Sequence, residues 1–281
     1  MHELRRLVRF IVNPQDPDGA VPSGHGLNTF AGTPCMRGLG RYYEIEAVAA
    51  GDPDPVTGYL IGIKDLDVVV REAAIPLVTT ACLDKPWTSP LELMPALFRA
   101  VDARLRERAP PGPAPARLRA LRWWLTPYYS VEMRQPEMDT VILRQQFDFA
   151  AAHRLHVPSL SDDANRTIFG RCNNPSGHGH NYRIEPAVAL RVPVPGDAPF
   201  GLDDLERLTM QLIVARFDHK HLNADTPEFN PRTGLNPSIE NMAKIFFDIL
   251  APAIDQASSG RAALQSMTVW ETDRTSCTFP A

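Results

Sequence analysis

No stretch of this sequence approaches the roughly 18 consecutive apolar residues that a membrane-spanning helix requires, so no membrane partner is expected. The opening residues Met1 to Phe10 carry Glu3, Arg5, Arg6 and Arg9 within an apolar pattern. That interruption argues against a signal peptide and reads better as a first strand. Cysteine is scarce: Cys35, Cys82, Cys172 and Cys277 lie far apart in 281 residues. This density excludes a disulfide framework, and reduced thiols in the cytoplasm are the expectation. A dominant charge is missing as well. The 29 basic and 33 acidic residues give a net charge of −4, which offers no footprint for nucleic acid.

What is present fits a soluble globular chain, with a hydrophobic fraction of 44% and a charged fraction of 22%. The length suggests two domains. Proline is abundant at 27 residues and clusters in Ala109-Pro110-Pro111-Gly112-Pro113-Ala114-Pro115, which predicts a loop rather than a helix or central strand.

The chain also repeats itself. Gly40-Arg41-Tyr42-Tyr43-Glu44-Ile45-Glu46 matches Gly179-His180-Asn181-Tyr182-Arg183-Ile184-Glu185 at an offset of 179 − 40 = 139. Gly62-Ile63-Lys64-Asp65-Leu66 follows at the same offset, onto Gly201-Leu202-Asp203-Asp204-Leu205. Glu92, Met94 and Phe98 fall on Glu240, Met242 and Phe246, and Trp124 falls on Trp270. Matches in one order predict two copies of a unit, joined near Arg134-Gln135-Pro136-Glu137. Each copy reads as strand, strand, helix, helix, strand, strand. The expected fold is therefore α+β, with a four-stranded antiparallel sheet and two helices on one face in each unit. The expected units are residues 1–133 and 140–281.

In the second copy, strands are expected over 140–152 and about 180–192, with a hairpin from Met267-Thr268-Val269-Trp270 into 275–279. Asp203 and Asp204 suit a helix N-terminus, followed by apolar Leu205, Leu208, Leu212 and Ile213. Ser238 is an expected N-cap, leading a stripe of Met242, Ile245, Phe246, Ile249 and Leu250.

The chemistry concentrates in Phe169-Gly170-Arg171-Cys172-Asn173-Asn174-Pro175-Ser176-Gly177-His178-Gly179-His180-Asn181-Tyr182. On a strand, a side-chain period of two puts His178 and His180 on one face. Two imidazoles there suit a divalent metal such as zinc, whose catalytic sites take three protein ligands and keep one position open. His153, in an aromatic strand pattern, is the nearest third donor; His221 competes less well because no such strand places it. Cys172, six residues before His178, reads as a nucleophile or base if a positive field lowers its pKa, and otherwise as a small buried residue. Asp218-His219 is a pair suited to proton transfer, and Lys220 beside it reads as surface. Glu240 complements a helix dipole. Glu271, at the end of a strand, either meets solvent or grips two N–H donors of a planar heterocycle.

From about residue 140 to 281 the chain resembles the 6-pyruvoyl-tetrahydropterin synthase and 6-carboxytetrahydropterin synthase family. The resemblance rests on Phe149-Ala150-Ala151-Ala152-His153-Arg154-Leu155, Leu160-Ser161-Asp162, Phe169 through Pro175, Gly177 through Tyr182, Phe217-Asp218-His219-Lys220, Ile239-Glu240-Asn241 and Trp270-Glu271-Thr272-Asp273. It implies a T-fold whose copies assemble side by side into a homo-oligomeric ring. It implies zinc on His153, His178 and His180, and a proton-transfer set of Cys172, Asp218 and His219. Glu271 would anchor a pterin, with Glu240 and Ser238 near the substrate. The implied activity is that of a carbon–oxygen lyase acting on phosphates, which converts 7,8-dihydroneopterin triphosphate to 6-pyruvoyl-tetrahydropterin. Two alternatives stand beside it: 6-carboxytetrahydropterin synthesis for deazapurines, and a non-catalytic pterin-binding module with structural zinc. In the carboxy branch three residues separate the cysteine from the His-Gly-His; here five separate Cys172 from His178, as in the pyruvoyl type.

The first copy departs from this pattern. Leu39 and Arg41 stand where His178 and His180 stand, Leu125 replaces Glu271, and Asp84-Lys85 aligns with His219-Lys220. Cys35 alone persists near the cysteine position. The first copy is therefore expected to be a degenerate unit without metal, with Arg41 a fixed cation in place of the ion.

Overall fold

A computed structural model of the chain describes residues 1–14, 36, 38–109, 115–192 and 200–281. They divide into two units, Met1–Leu143 with Arg191–Asp197 and Arg144–Leu190 with Ala198–Ala281. Cys35 lies outside the described residues, as does most of the proline-rich loop.

In the first unit, strands β1 (His2–Val12), β2 (Arg41–Gly51), β3 (Arg117–Trp124) and β4 (Tyr129–Arg134) pair antiparallel in that order. Alternation drives the layering. Val8, Phe10, Ile45, Ala47, Trp123, Val131 and Met133 are buried, while Arg5 and Arg9 pair with Glu46 and Glu44 across the solvent face. Helices α1 (Ile63–Ala73), α2 (Ile75–Asp84) and α3 (Pro90–Arg108) pack on the sheet. Leu66, Val70, Met94, Phe98 and Val101 are buried beneath them. Asp67 of α1 is fully buried and accepts from Arg6 Nε of β1 at 2.9 Å and Arg71 Nε at 2.6 Å. Those charge-assisted bonds offset its desolvation and tie α1 to β1.

The second unit holds the segment with the histidines. The strand expected over 140–152 arrives as β5 (Thr140–Gln145), along which the chain passes from the first unit to the second, and β6 (Phe147–His153). The break falls at Gln146, whose amide donates to Glu185 at 2.8 Å. β7 (His178–Arg191) pairs antiparallel with β6 on one side and with β9 (Ala262–Thr272) on the other. β10 (Thr275–Phe279) closes the expected hairpin on β9, and the two-residue β8 (Lys220–His221) runs parallel to β6. The sheet is thus mixed, and the unit is α+β.

Its helices depart from expectation in two places. Helix α4 (Asp162–Phe169) was not legible as a core helix. Only Asn165 in it is buried, and it is specified by the Ser161 N-cap, which accepts from Ala164 N at 3.2 Å. A 3-10 turn, Gly170–Asn173, follows it. Helix α5 (Leu202–Thr209) then passes into a π-helical turn at Met210–Val214 before the short α6 (Ala215–Phe217). The extra residue in that turn shifts the phase, so Ile213 and Val214 are buried whereas Leu212 is half-buried. After β8 and α7 (Leu222–Asp225), helix α8 (Ile239–Ser258) lays Met242, Phe246, Leu250 and Ile254 into the core. Ile245 and Ile249, expected in that stripe, are half-buried at its border. Among the described residues no helix is long and apolar enough to cross a membrane.

Candidate metal and catalytic site

The site begins with the alternation of β6 and β7. Phe147, Phe149, Ala151 and His153 are buried along β6, and Tyr182 and Ile184 along β7. Phe149 stacks on Tyr182 with centroids 5.3 Å apart and meets Phe246 of α8 edge-on at 5.9 Å. This aromatic layer fixes the register in which His153 pairs directly with His178, and Ala151 with His180. Period two carries both β7 histidines to the face of His153. Their ring centroids lie 4.6 to 5.2 Å from one another.

One nitrogen from each of His153, His178 and His180 falls within 4.8 Å of the others. His153 is fully buried, and its Nδ1 faces the Pro237 carbonyl at 2.8 Å. That contact makes Nδ1 the protonated nitrogen and turns the Nε2 lone pair inward, as in second-shell orientation of a metal ligand. His153 Nε2 lies 3.2 Å from His178 Nε2. His178 Nδ1 and His180 Nε2 are buried without hydrogen-bond partners. Three imidazoles that each bring a nitrogen to one place fit a divalent ion of intermediate softness. Burial, then the neighbouring imidazoles, push the His153 pKa down to about 4 against the raising effect of Pro237. His180 is also lowered, by burial first, with Glu271 opposing. Both rings are therefore neutral at neutral pH, the state in which imidazole binds metal. Among the described residues this is the one such group. In the first unit, Leu39 is exposed, and Arg41 hydrogen-bonds with Tyr43 and Cys82.

Gly177 makes the approach of β7 possible. Its φ is +72°, and a Cβ there would meet His221 Nε2 at 2.7 Å and the His153 carbonyl at 3.0 Å. His221 thus sits behind Gly177, outside the three-histidine group.

Around the histidines the structure gathers Glu271, Cys172 and Tyr182. Glu271 Oε1 is 3.4 Å from both His153 Nε2 and His180 Nε2. The Cys172 thiol is pushed above its usual value, by burial first and by the Glu271 charge second. The positive field expected to lower it is not supplied by the protein alone. Tyr182 is buried with its hydroxyl unpaired, and burial together with Glu271 and Cys172 pushes its pKa up. Sequence reasoning passed over Tyr182. The signal was available, because the period that pairs His178 with His180 reaches residue 182 next. Asn173, also passed over, is the clamp of this region. It is buried, and its amide donates to the Leu155 carbonyl at 2.7 Å while the Cys172 carbonyl accepts from Leu155 N at 2.8 Å.

Asp218 and His219 form a separate pair. Asp218 Oδ2 accepts from His219 Nδ1 at 2.8 Å, and Oδ1 accepts from Ala150 N at 2.9 Å. Those donors hold its carboxyl below the usual range, with the Ala150 N–H the larger cause. His219 occupies a left-handed conformation at φ 55° and donates its N–H to the Ala150 carbonyl. A non-glycine there is strained, as functional turns often are. Its side chain is 83% exposed. Among the described residues no contact joins this pair to Cys172. Ser238 caps α8, accepting from Asn241 N at 3.5 Å. Glu240 is exposed, and its charge acts on Cys277 of β10.

The 6-pyruvoyl tetrahydropterin synthase family model matches residues 142–281. The 6-pyruvoyl tetrahydrobiopterin synthase of Homo sapiens is 33% identical over 129 residues, covering 46% of this chain and 83% of the human protein. This chain belongs to the 6-pyruvoyl tetrahydropterin synthase family. The corresponding protein of Poecilia reticulata is 40% identical over 107 residues, or 38% of this chain and 70% of the fish protein. The solved 6-pyruvoyl tetrahydropterin synthase of Caenorhabditis elegans aligns at 30% identity and a TM-score of 0.44, covering 50% of this chain and 96% of that one. The family is one of enzymes, and its matched stretch contains every member of the three-histidine group and Cys172, Asp218, His219 and Glu271.

Proposed function

We propose that the chain is a zinc-dependent lyase that converts 7,8-dihydroneopterin triphosphate to 6-pyruvoyl-tetrahydropterin with loss of triphosphate. The observation that carries this reading is the convergence of one nitrogen from each of three imidazoles, next to a free thiol and a carboxylate. His153, His178 and His180 would hold the ion. When bound, zinc polarises hydroxyl oxygens of the substrate side chain and acidifies the carbon-bound protons beside them. The protein's own groups do the rest. Glu271 presents two oxygens to the N–H donors of the pterin, and a cation among the histidines opposes its effect on Cys172. Cys172 takes a carbon-bound proton. Asp218 holds His219 Nδ1–H, which leaves Nε2 free to return a proton. Triphosphate departs by elimination, with no external oxidant.

Cys172 and the Asp218–His219 pair would serve one site by assembly of copies into a ring, with His219 of one chain facing the Cys172 of the next. The high exposure of the His219 ring supports that arrangement. The first unit is read as a degenerate copy that occupies ring positions without chemistry. Two features support this beyond the sequence matches. Ile45 pairs with Val8 and Trp123, while Ile184 pairs with Phe147 and Val269, at offsets of 184 − 45 = 139, 147 − 8 = 139 and 269 − 123 = 146. The irregularity at Val48/Ala49 recurs at Ala187/Val188, again at 187 − 48 = 139. The carboxy alternative draws no support from the relatives, which carry the 6-pyruvoyl name.

The test is turnover of 7,8-dihydroneopterin triphosphate, with mass spectrometry of the pterin and assay of released triphosphate. Cys172→Ala is the control. The 6-pyruvoyl product and about one zinc per chain are expected, since one three-histidine group is present among the described residues. A different pterin product rejects the activity; two zinc ions per chain reject the degenerate copy.

A further inference from the structure

His178 faces two ways. It belongs to the three-histidine group, and it also lines an open cleft of about 710 Å³ between α4, the 3-10 turn and the start of β7. The cleft wall carries Arg154, Arg166 and Arg171 against one carboxylate, Asp162. Such a concentration of guanidinium groups is costly without a counter-ion. Within a chain of net charge −4 it needs an explanation.

The arginines are set in place to different degrees. Arg154 directly follows the ligand candidate His153. Its Nε donates to the Asn173 carbonyl at 3.2 Å and its Nη2 to Asn173 Oδ1 at 3.3 Å. Asn173 is itself buried and anchored to Leu155, so this guanidinium is held before any ligand arrives. Arg171 is exposed on the turn and makes no ion pair among the described residues. Arg166 pairs with Asp163 along its own helix, an exposed contact that a stronger anion displaces at little cost. Guanidinium forks match phosphate oxygens in a bidentate manner, and three forks around one cleft suit a chain of phosphates better than a single carboxylate.

We propose that this cleft is the polyphosphate subsite, in which Arg154, Arg166 and Arg171 hold the triphosphate of the substrate and retain it as it leaves. The inference rests on the activity proposed above. Its geometric basis is separate: His178 belongs to the three-histidine group and also lines the arginine-bearing cleft, so the two share a wall. Arg154 would fix the proximal phosphate through its Asn173 clamp, and the exposed Arg166 and Arg171 the distal ones.

The test uses the zinc-loaded full chain and an Arg166→Gln/Arg171→Gln double variant. Both side chains are exposed, so the fold is not at risk, and zinc content serves as the check. Calorimetry measures binding of inorganic tripolyphosphate and of unphosphorylated 7,8-dihydroneopterin. Loss of two charge-assisted contacts weakens tripolyphosphate by about tenfold or more, with a parallel rise in KM for the triphosphate ester. Dihydroneopterin affinity stays within about twofold, because it carries no phosphate for these arginines to hold. Unchanged tripolyphosphate binding overturns the proposal, and so does an equal loss for dihydroneopterin. The two readings fail separately. Arginine-dependent tripolyphosphate binding without turnover keeps the subsite and rejects the lyase. Turnover with tripolyphosphate binding indifferent to the arginines keeps the lyase and rejects the subsite.

Discussion

Acidifying the metal-free protein will reveal how His153 is held. Its pKa is depressed from 6.5 to about 4, chiefly by burial. Between those values the unfolded chain carries the proton and the native state does not, so native stability falls as pH falls through that window. The stabilisation is fully present above the unfolded value and is gone below the folded one. The gap corresponds to about 3 kcal/mol. His180 moves in the same direction and adds to the slope, although Glu271 opposes it. The assay is urea unfolding of chelator-treated protein across this pH range, beside a His153→Gln variant that cannot titrate there. Hydrogen exchange of the β6 and β7 amides reads the second unit by itself. The variant loses the bond to Pro237 and starts from lower stability, but its curve is flatter. Equal loss of stability in both proteins between pH 6.5 and 4 would refute the assignment of His153 as a buried neutral imidazole.

Three further outcomes are expected. Gly177→Ala forces a side chain into a left-handed conformation, with a Cβ 2.7 Å from His221 Nε2 and 3.0 Å from a carbonyl; it costs about 1–3 kcal/mol, and an unchanged melting temperature argues against the tight turn. Phe246→Ala removes a fully buried ring that meets both Phe149 and Phe217; it lowers stability by about 3–5 kcal/mol, read by denaturant midpoint, and a loss below about 1 kcal/mol contradicts the packed layer beneath the histidines. Cys172→Ala lowers turnover by about 10²-fold or more with zinc content intact; zinc lost along with activity shows the sulfur to be a ligand instead of a base.

Much of the site was legible because strand geometry is periodic. His178 and His180 share a face by parity alone, and the aromatic alternation of β6 pointed to His153 as their partner. Asp162, Ser161 and Phe169 were read as parts of a motif, yet the helix α4 that contains them was missed, since its single buried residue leaves no apolar stripe to read. The π turn at Met210–Val214 likewise escapes a pattern that assumes constant pitch. Cys172, Asp218 and His219 were named as one set by family resemblance. The contacts within one chain set Cys172 beside Glu271 and Tyr182, and Asp218–His219 on the Ala150 backbone.

Local order therefore singled out the candidate residues: side-chain period, cap residues and glycine placement are properties of neighbours along the chain. Register and long-range approach settled the rest. Only the pairing of β6 with β7 brings His153 opposite His178. Only the return of β9 carries Glu271 to within 3.4 Å of two imidazoles. The approach of Pro237 to a ring 84 positions earlier is likewise tertiary, and it selects the His153 nitrogen that faces His178. These distances depend on which apolar surfaces bury together, and no window of sequence contains that information.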